Sequence, residues 1–395
     1  MSQAALRVAV AGAGAFGKNH LRVYRELETA GLGVALVAAV EPDSARAAET
    51  AAKYAIPVFA TVDKLLAADL KLDAATVAVP TVHHHAVASQ LLDAGLDLLV
   101  EKPLAASLAE ADDLIARTER GQRILQPGHL ERFNPAVLAI QPQLRRPMFF
   151  ESHRLSIFTP RALDVDVVLD LMIHDLDIVL TFAGAPVREV RAVGLPILSP
   201  KVDIANVRVE FESGCVANFT ASRVSTERVR KLRFFEPRQY VSIDYARQDL
   251  LVIKVNEEKA SPAELIASLP PQVANLLPPG IAEGIASGKI DLAKFDPALI
   301  AQFAAMAKID PALITQLSSP AESKAGLSFS KPPVTPGEPL RLEILSFLES
   351  VRTRRPPQVT ARQGREALAL ALEIQASMAA HAKRAGLEDF FKPGA

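Results

Sequence analysis

A lysine and a histidine are the residues of this sequence best suited to move a proton. Lys102 lies in Glu101-Lys102-Pro103, directly after an apolar run typical of a buried strand. Ligands of open α/β sheets bind at the carboxyl ends of strands, so Lys102 is expected to point into a cleft. Burial lowers the pKa of a lysine, which lets its amine polarise or deprotonate a hydroxyl. Taken alone, a lysine before a proline is more often a surface residue.

His174 follows Asp170 by four positions inside an amphipathic segment at 165–182. That spacing predicts both side chains on one face of a helix, where the carboxylate orients or tunes the imidazole. Histidine titrates near neutral pH, which suits it to proton transfer. Two other interpretations stay open here: a solvated helix face, and a metal site that includes Asp177.

A glycine-rich sequence at 12–17, Gly-Ala-Gly-Ala-Phe-Gly, follows a predicted strand and begins a predicted helix. Gly12 allows the tight turn, Gly14 lets the backbone approach a pyrophosphate, and Gly17 permits close packing of the helix. Glu41 ends the next predicted strand, where a carboxylate accepts hydrogen bonds from the adenosine ribose and repels a 2′-phosphate. The pattern predicts binding of NAD, with NADP less favoured.

The predicted elements that position these residues fall into two groups. Apolar runs at 6–11, 34–40, 74–79 and 96–100 alternate with amphipathic helical patterns, the order expected of a parallel sheet. After Gly128, segments at 206–211, 216–220, 232–235, 240–244 and 250–255 alternate apolar and polar residues. The sequence therefore predicts a doubly wound α/β Rossmann domain at 1–128, followed by an α+β domain at 129–395 with a large, mainly antiparallel open sheet.

A segment rich in alanine and proline at about 256–336 interrupts the second domain. Its composition and its N-cap residues followed by proline predict inserted helices. It contains two copies of a short motif, at 294–300 and 308–314, too few for a solenoid. Helical patterns at 339–351 and 362–382 follow, and we expect these C-terminal helices to pack back across the molecule.

Composition excludes several classes of protein. Lys plus Arg total 44 and Asp plus Glu total 45, so no net field favours nucleic acid or an anionic membrane. The one cysteine cannot form an intrachain disulfide, which fits a reducing compartment. The apolar stretch near the N-terminus is broken by glycines and suits a strand better than a signal peptide, and no run has the length of a membrane span. We expect a cytoplasmic protein.

Together, the glycine-rich turn, Glu101-Lys102-Pro103 and the pair Asp170 and His174 resemble the Gfo/Idh/MocA family of dehydrogenases. The resemblance covers most of the chain outside the insertion, and it extends to Pro80, Thr81 and His84. It implies an N-terminal NAD(P)-binding domain, catalytic roles for Lys102 and His174 with Asp170 beside them, and a homodimer or homotetramer formed through the open sheet. The residues then expected to contact the cofactor are Gly12, Gly14, Ala15, Phe16, Gly17, Glu41, Pro80, Thr81, His84, Glu101 and Lys102.

Segments 128–135, 166–175 and 220–225 are similar to the branch of the family that oxidises the 3-hydroxyl of UDP-N-acetylglucosamine. This similarity implies a nucleotide-sugar substrate, and an aminotransferase partner that converts the ketone for diamino-sugar and lipid A synthesis. Here Asp166-Val167-Val168 replaces the glycines that many relatives carry. The alternatives are a dehydrogenase of a polyol or simple sugar such as inositol, and a dinucleotide-binding regulator without turnover.

In the expected mechanism, Lys102 and His174 hydrogen-bond the substrate hydroxyl, and one of them takes its proton while the carbon delivers hydride. Which of the two is the base stays open. Consecutive histidines at 83–85 point in different directions at a helix start, so we expect no metal site there. Side chains expected to contact sugar hydroxyls or the diphosphate, each of which also fits an ordinary surface position, are Glu131, Arg132, His153, Arg154 and Asp177.

Overall fold

The computed structural model of the chain describes residues 4–158, 165–256, 326–387 and 389. The predicted insertion at 256–336, including its repeated motif, lies largely outside these residues. None of the helices in the described part of the chain has the length and apolar character needed to cross a bilayer.

The first sheet is parallel, as the alternating pattern predicted, and it has six strands. They are β1 (Leu6–Ala11), β2 (Val34–Val40), β3 (Val58–Phe59), β4 (Ala74–Val77), β5 (Asp97–Glu101) and β6 (Leu125–Gly128). The connecting helices are α1 (Gly17–Thr29), α2 (Ser44–Tyr54), α3 (Val62–Ala67), α4 (His84–Asp93) and α5 (Leu108–Gly121). The spatial order β3-β2-β1-β4-β5-β6 reverses beside β1, which places a ligand crevice at the carboxyl ends of β1 and β4.

Helices cover both faces of this sheet, and successive side chains of β1 are buried on opposite faces. Val8 and Val10 belong to one buried cluster, and Ala9 and Ala11 to another on the opposite face. The first cluster includes side chains of a C-terminal helix, α8 (Pro339–Thr353), among them Phe347. The end of the chain therefore packs back onto the first domain.

The second sheet has eight strands in the order β14-β13-β12-β11-β7-β10-β9-β8. They are β7 (Phe149–Ile157), β8 (Val187–Leu195), β9 (Ile204–Phe211), β10 (Val216–Ser225), β11 (Val229–Glu236), β12 (Gln239–Asp244), β13 (Asp249–Asn256) and β14 (Gly326–Ser330). Neighbouring strands are antiparallel except β7 and β10, which are parallel. The insertion was predicted to be helical. Its last described residues instead form a strand, β14, which pairs with β13 at the edge of the sheet.

One face of the second sheet is covered by helices. These are α6 (Pro135–Ile140), α7 (Ile173–Ala183) and α9 (Ala361–Arg384). Apolar side chains from alternate positions of the strands pack with α7 and α9 in a single cluster. On β7 the buried positions are Phe150, Ser152 and Arg154, and the residues between them are partly exposed on the open face.

The helical segment that carries the predicted catalytic pair does not begin as an α-helix. Residues Val168–Met172 form a π-helical turn, and α7 starts only at Ile173. The side chain of Asp166 accepts hydrogen bonds from the N–H groups of Val168 and Leu169, at 2.9 and 3.1 Å. Such turns commonly mark functional positions because they alter the direction of side chains and carbonyl groups.

Candidate active site

Lys102 lies at the carboxyl end of β5 and reaches across to the π-helical turn of the second domain. Its ammonium donates to the carbonyl oxygen of Asp170 at 2.7 Å and to that of Leu169 at 3.4 Å. The Asp170 carboxylate is 3.8 Å from the same nitrogen. Burial lowers the pKa of Lys102 and the charge of Asp170 opposes this shift in part. The site thus holds an amine that loses its proton more readily than a free lysine.

His174 lies in the first turn of α7, and its Nδ1 is buried without a hydrogen-bond partner in the described residues. Burial, together with the positive charges of Lys102 and Arg154, holds the pKa of His174 well below its usual value. The imidazole is therefore neutral near pH 7 and can accept a proton or a hydrogen bond.

The expected pairing of Asp170 with His174 is not what the structure shows. The carboxylate of Asp170 lies beside Lys102, and no hydrogen bond between Asp170 and His174 forms in this conformation. Asp170 lies in the π-helical turn and His174 in α7, so the two residues belong to different helical segments.

Glu101, expected to contact the cofactor, is buried at the end of β5. Its carboxylate lies 2.7 Å from Nε2 of His20, a fully buried residue of α1. Gly128 on β6 makes room for it, since an added Cβ there would lie 3.0 Å from the Glu101 carboxyl carbon. Glu101 thus joins the strand that carries Lys102 to the helix that follows the glycine-rich turn.

The glycine-rich turn has the shape that a dinucleotide requires. Gly12 has φ +97°, and a Cβ there would lie 2.6 Å from the carbonyl oxygen of Ala78. A Cβ on Gly17 would overlap the carbonyl of Gly12, whereas one on Gly14 would meet no atom within 4 Å. Ala15 and Phe16 complete the turn, and no side chain caps the start of α1. Open space above Gly14 and free N–H groups at the helix start fit a bound pyrophosphate.

Glu41 follows β2 at the edge of this crevice. Its carboxylate accepts hydrogen bonds from the N–H groups of Ala13 and Asp43, both at 3.0 Å, and from Arg46 at 3.1 Å. Burial opposes ionisation, but these hydrogen bonds outweigh it and lower the pKa of Glu41. A negative charge therefore faces the place where an adenosine ribose binds in this fold.

The loop after β4 carries the other residues expected near the cofactor. Pro80 precedes a short 3-10 turn at Thr81–His83. His84 is buried, with Nδ1 2.8 Å from the carbonyl oxygen of Pro103 and Nε2 2.9 Å from that of Val79. The imidazole therefore ties this loop to the segment that follows Lys102.

Two of the side chains expected to bind substrate form a buried ionic network. Arg154 makes two hydrogen bonds to Asp175, at 2.6 and 3.1 Å, and one to Glu131 at 3.0 Å. Arg132 and Asp177 form a second buried pair, 3.5 Å apart. Both arginines are thus buried and paired with carboxylates.

His153 is set apart from this group. It neighbours Arg154 on β7, but successive residues of a strand point to opposite faces. Arg154 faces α7, whereas His153 lies on the open face of the sheet, between Thr220 and Lys231 on the adjacent strands.

The sequence reasoning missed Arg230. It is the register partner of Arg154 on β11, so its side chain lies on the same face of the sheet. It is exposed, its charge contributes to the lowered pKa of His174, and no carboxylate of the described residues pairs with it. The predicted strand began at residue 232, whereas β11 begins at Val229, so Arg230 fell outside the predicted strand. Within the described ranges no three histidine, cysteine or acidic side chains converge as metal ligands.

Known proteins share both domains of this chain. Residues 6–129 match the model of the oxidoreductase family with an NAD-binding Rossmann fold, Gfo/Idh/MocA. Residues 136–238 match the model of the Gfo/Idh/MocA C-terminal domain.

Individual relatives have related activities. UDP-N-acetylglucosamine 3-dehydrogenase of Acidithiobacillus ferrooxidans is 37% identical over 246 residues, which cover 62% of this chain and 76% of that protein. A crystal structure of the enzyme of that name from the same organism superposes with a TM-score of 0.74 and 28% identity, over 96% of this chain and 99% of the other. Inositol 2-dehydrogenase of Acidothermus cellulolyticus is 29% identical over 48% of this chain and 56% of that protein. The chain is a member of the Gfo/Idh/MocA family of oxidoreductases and a dehydrogenase acting on CH–OH groups.

Proposed function

We propose that this dehydrogenase uses NAD to oxidise the 3-hydroxyl of a UDP-N-acetylhexosamine, with UDP-N-acetylglucosamine giving the 3-keto sugar. The identity with a UDP-N-acetylglucosamine 3-dehydrogenase over three quarters of that enzyme supports this substrate. An aminotransferase would consume the ketone in diamino-sugar and lipid A synthesis. The partly exposed open face of the second sheet is proposed as the contact surface of a homodimer or homotetramer.

The position of Arg230 is the main reason to propose a nucleotide sugar, rather than a neutral polyol, as the substrate. Its exposed guanidinium lies on the crevice side of the sheet and has no carboxylate partner among the described residues. Arginine is well suited to bind a diphosphate because its planar fork donates two parallel hydrogen bonds. Inositol carries no charge that would use this group.

Lys102 and His174 are proposed to hold the reacting hydroxyl. The amine of Lys102, with its lowered pKa, accepts the hydroxyl proton, and the neutral imidazole of His174 fixes the orientation of the oxygen. The bound dinucleotide supplies the acceptor for the hydride that leaves the same carbon. Asp170 holds Lys102 in place and raises its proton affinity.

Glu41 is proposed to select NAD over NADP. Its lowered pKa keeps it ionised at neutral pH, and this charge would repel a 2′-phosphate. The carboxylate also accepts from Arg46, which leaves that arginine less available to a phosphate.

The test is NADH formation with NAD and UDP-N-acetylglucosamine, with myo-inositol in parallel and an aminotransferase present to consume the ketone. We expect turnover of the nucleotide sugar, and Arg230→Ala should raise its KM by about tenfold, as expected for loss of one charge-assisted contact. Arg233→Ala is the matched control, because Arg233 lies on the same strand and faces the other side. Turnover of myo-inositol alone would assign the protein to the polyol dehydrogenases instead.

A further inference from the structure

Two buried polar side chains beside the candidate active site lack hydrogen-bond partners. His129 is 1% exposed and neither ring nitrogen has a partner in the described residues. Asp177 is 2% exposed, and its Oδ2 has no hydrogen-bond partner either. His129 Nδ1 and Asp177 Oδ2 are 3.9 Å apart and face each other. Buried polar groups nearly always have partners, so such a pair indicates a bound water or a functional role.

The position of His129 connects it to the catalytic lysine. It follows β6 directly, and Gly128 at the end of β6 is the register partner of Glu101 at the end of β5. His129 and Lys102 therefore project from neighbouring strand ends. Burial lowers the pKa of His129; the charge of Asp177 opposes this shift, and the charges of Arg132 and Lys102 add to it, so the imidazole is neutral near pH 7. A neutral imidazole accepts a proton at one nitrogen and releases one from the other.

The position of Asp177 places the pair next to a groove, although Asp177 itself is only 2% exposed. Asp177 forms part of the wall of a groove of about 580 Å³ between α7 and α9. The exposed side chains of Glu366 and Glu373 line the same groove. Arg132 lies 3.5 Å from Oδ1 of Asp177 and is itself hydrogen-bonded to Thr181, which holds the carboxylate with Oδ2 toward His129.

We propose that His129 and Asp177 form a proton relay from Lys102 to this groove. Oxidation of the alcohol breaks its O–H bond, and the proton passes to the Lys102 amine while the C–H electron pair leaves as hydride to NAD. Lys102 then gives its proton to His129, which releases one from its other nitrogen toward Asp177 and the groove water. A single water or a small rotation closes the 3.9 Å gap. Lys102 is thereby returned to the neutral form for the next turnover.

The relay rests on the proposed role of Lys102 as proton acceptor, and it holds for any alcohol substrate. His129→Gln and Asp177→Asn remove the titrating groups with little change of shape. Glu373→Gln is the matched control, since it removes an exposed carboxylate that lines the same groove without touching the hydrogen bonds that hold Asp177.

In steady-state turnover, we expect His129→Gln to lower kcat by about 10²-fold, within the range of general acid–base effects. Added imidazole should restore part of the rate of His129→Gln, and the rate of the natural protein should not respond to it. The relay would be contradicted if His129→Gln bound NAD normally and kept the full kcat, or if added imidazole did not restore any of its lost rate.

A second measurement needs no substrate. Exchange of the His129 ring N–H with water is measured by NMR, and the signal is assigned by its loss in His129→Gln. The relay predicts rapid exchange that slows by about tenfold or more in Asp177→Asn and is unchanged in Glu373→Gln, because the Asp177 carboxylate is the acceptor. Equal exchange rates of the His129 ring N–H in the natural protein, Asp177→Asn and the control variant would overturn the relay. Rapid exchange that depends on Asp177 in a protein that oxidises neither sugar would reject the proposed function and retain the relay.

Discussion

Replacing Asp170 with asparagine tests which group is the base. The charge of Asp170 raises the pKa of Lys102, whereas the main causes of the lowered pKa of His174 are burial and the positive charges around it. Asparagine keeps the size of the side chain and the carbonyl oxygens that bind Lys102. If Lys102 is the base, its pKa falls in Asp170→Asn and the acidic limb of the pH profile moves to lower pH.

The size of the shift follows from the geometry. Two unit charges 3.8 Å apart attract by about 1 kcal/mol in water and about 4 kcal/mol at an effective dielectric constant near 20. The side chains of Lys102 and Asp170 are 18% and 33% exposed, so solvent screens the pair and the lower part of that range applies. A loss of about 1–2 kcal/mol lowers the pKa of Lys102 by roughly one unit.

The assay is kcat/KM against pH for the natural protein, Asp170→Asn and Asp69→Asn. Asp69 is an exposed carboxylate paired with Lys71, so its loss removes the same charge far from the site. We expect the limb to move down by about one pH unit in Asp170→Asn only. A limb that stays in place would assign it to His174, and a limb that moves upward would refute the electrostatic reasoning altogether.

Three further substitutions test the cofactor site and the packing. Glu41→Ala should improve the kcat/KM ratio of NADP over NAD by roughly fivefold, the effect of about 1 kcal/mol of lost repulsion, measured with both cofactors. Phe347→Ala should lower the free energy of unfolding in urea by about 3–5 kcal/mol, because this side chain is fully buried where α8 packs on α1. Gly128→Ala should cost about 1–3 kcal/mol in the same assay, because its Cβ would displace Glu101 from His20; an unchanged midpoint would show that Glu101 moves freely.

Local patterns were sufficient to predict the first domain. The glycine-rich turn, Glu41 and Lys102 each lie at a strand end, and the strand, turn and helix that define these positions are contiguous in the chain. Alternation also predicted most strands of the second sheet, because the side chains of a strand with one buried face follow a period of two.

These local patterns could not predict contacts between segments that are distant in the chain. The bond between Lys102 and the carbonyl of Asp170 joins residues 68 positions apart, and the bond between Glu101 and His20 joins residues 81 positions apart. The helical period predicted Asp170 beside His174, but it could not foresee a π-helical turn that directs the carboxylate toward Lys102.

The sequence by itself determined which side chains are available, namely those of a glycine-rich turn, an acidic residue at the end of the second strand, and a lysine and a histidine suited to proton transfer. Only the tertiary structure decided which groups meet. Strand register set Arg230 beside Arg154 and sent His153 to the opposite face. The packing of α7 and α9 against the end of β6 buried His129 beside Asp177. The physical reason is that secondary structure depends on neighbours in the chain, whereas the surroundings of a side chain depend on elements that fold against it from elsewhere.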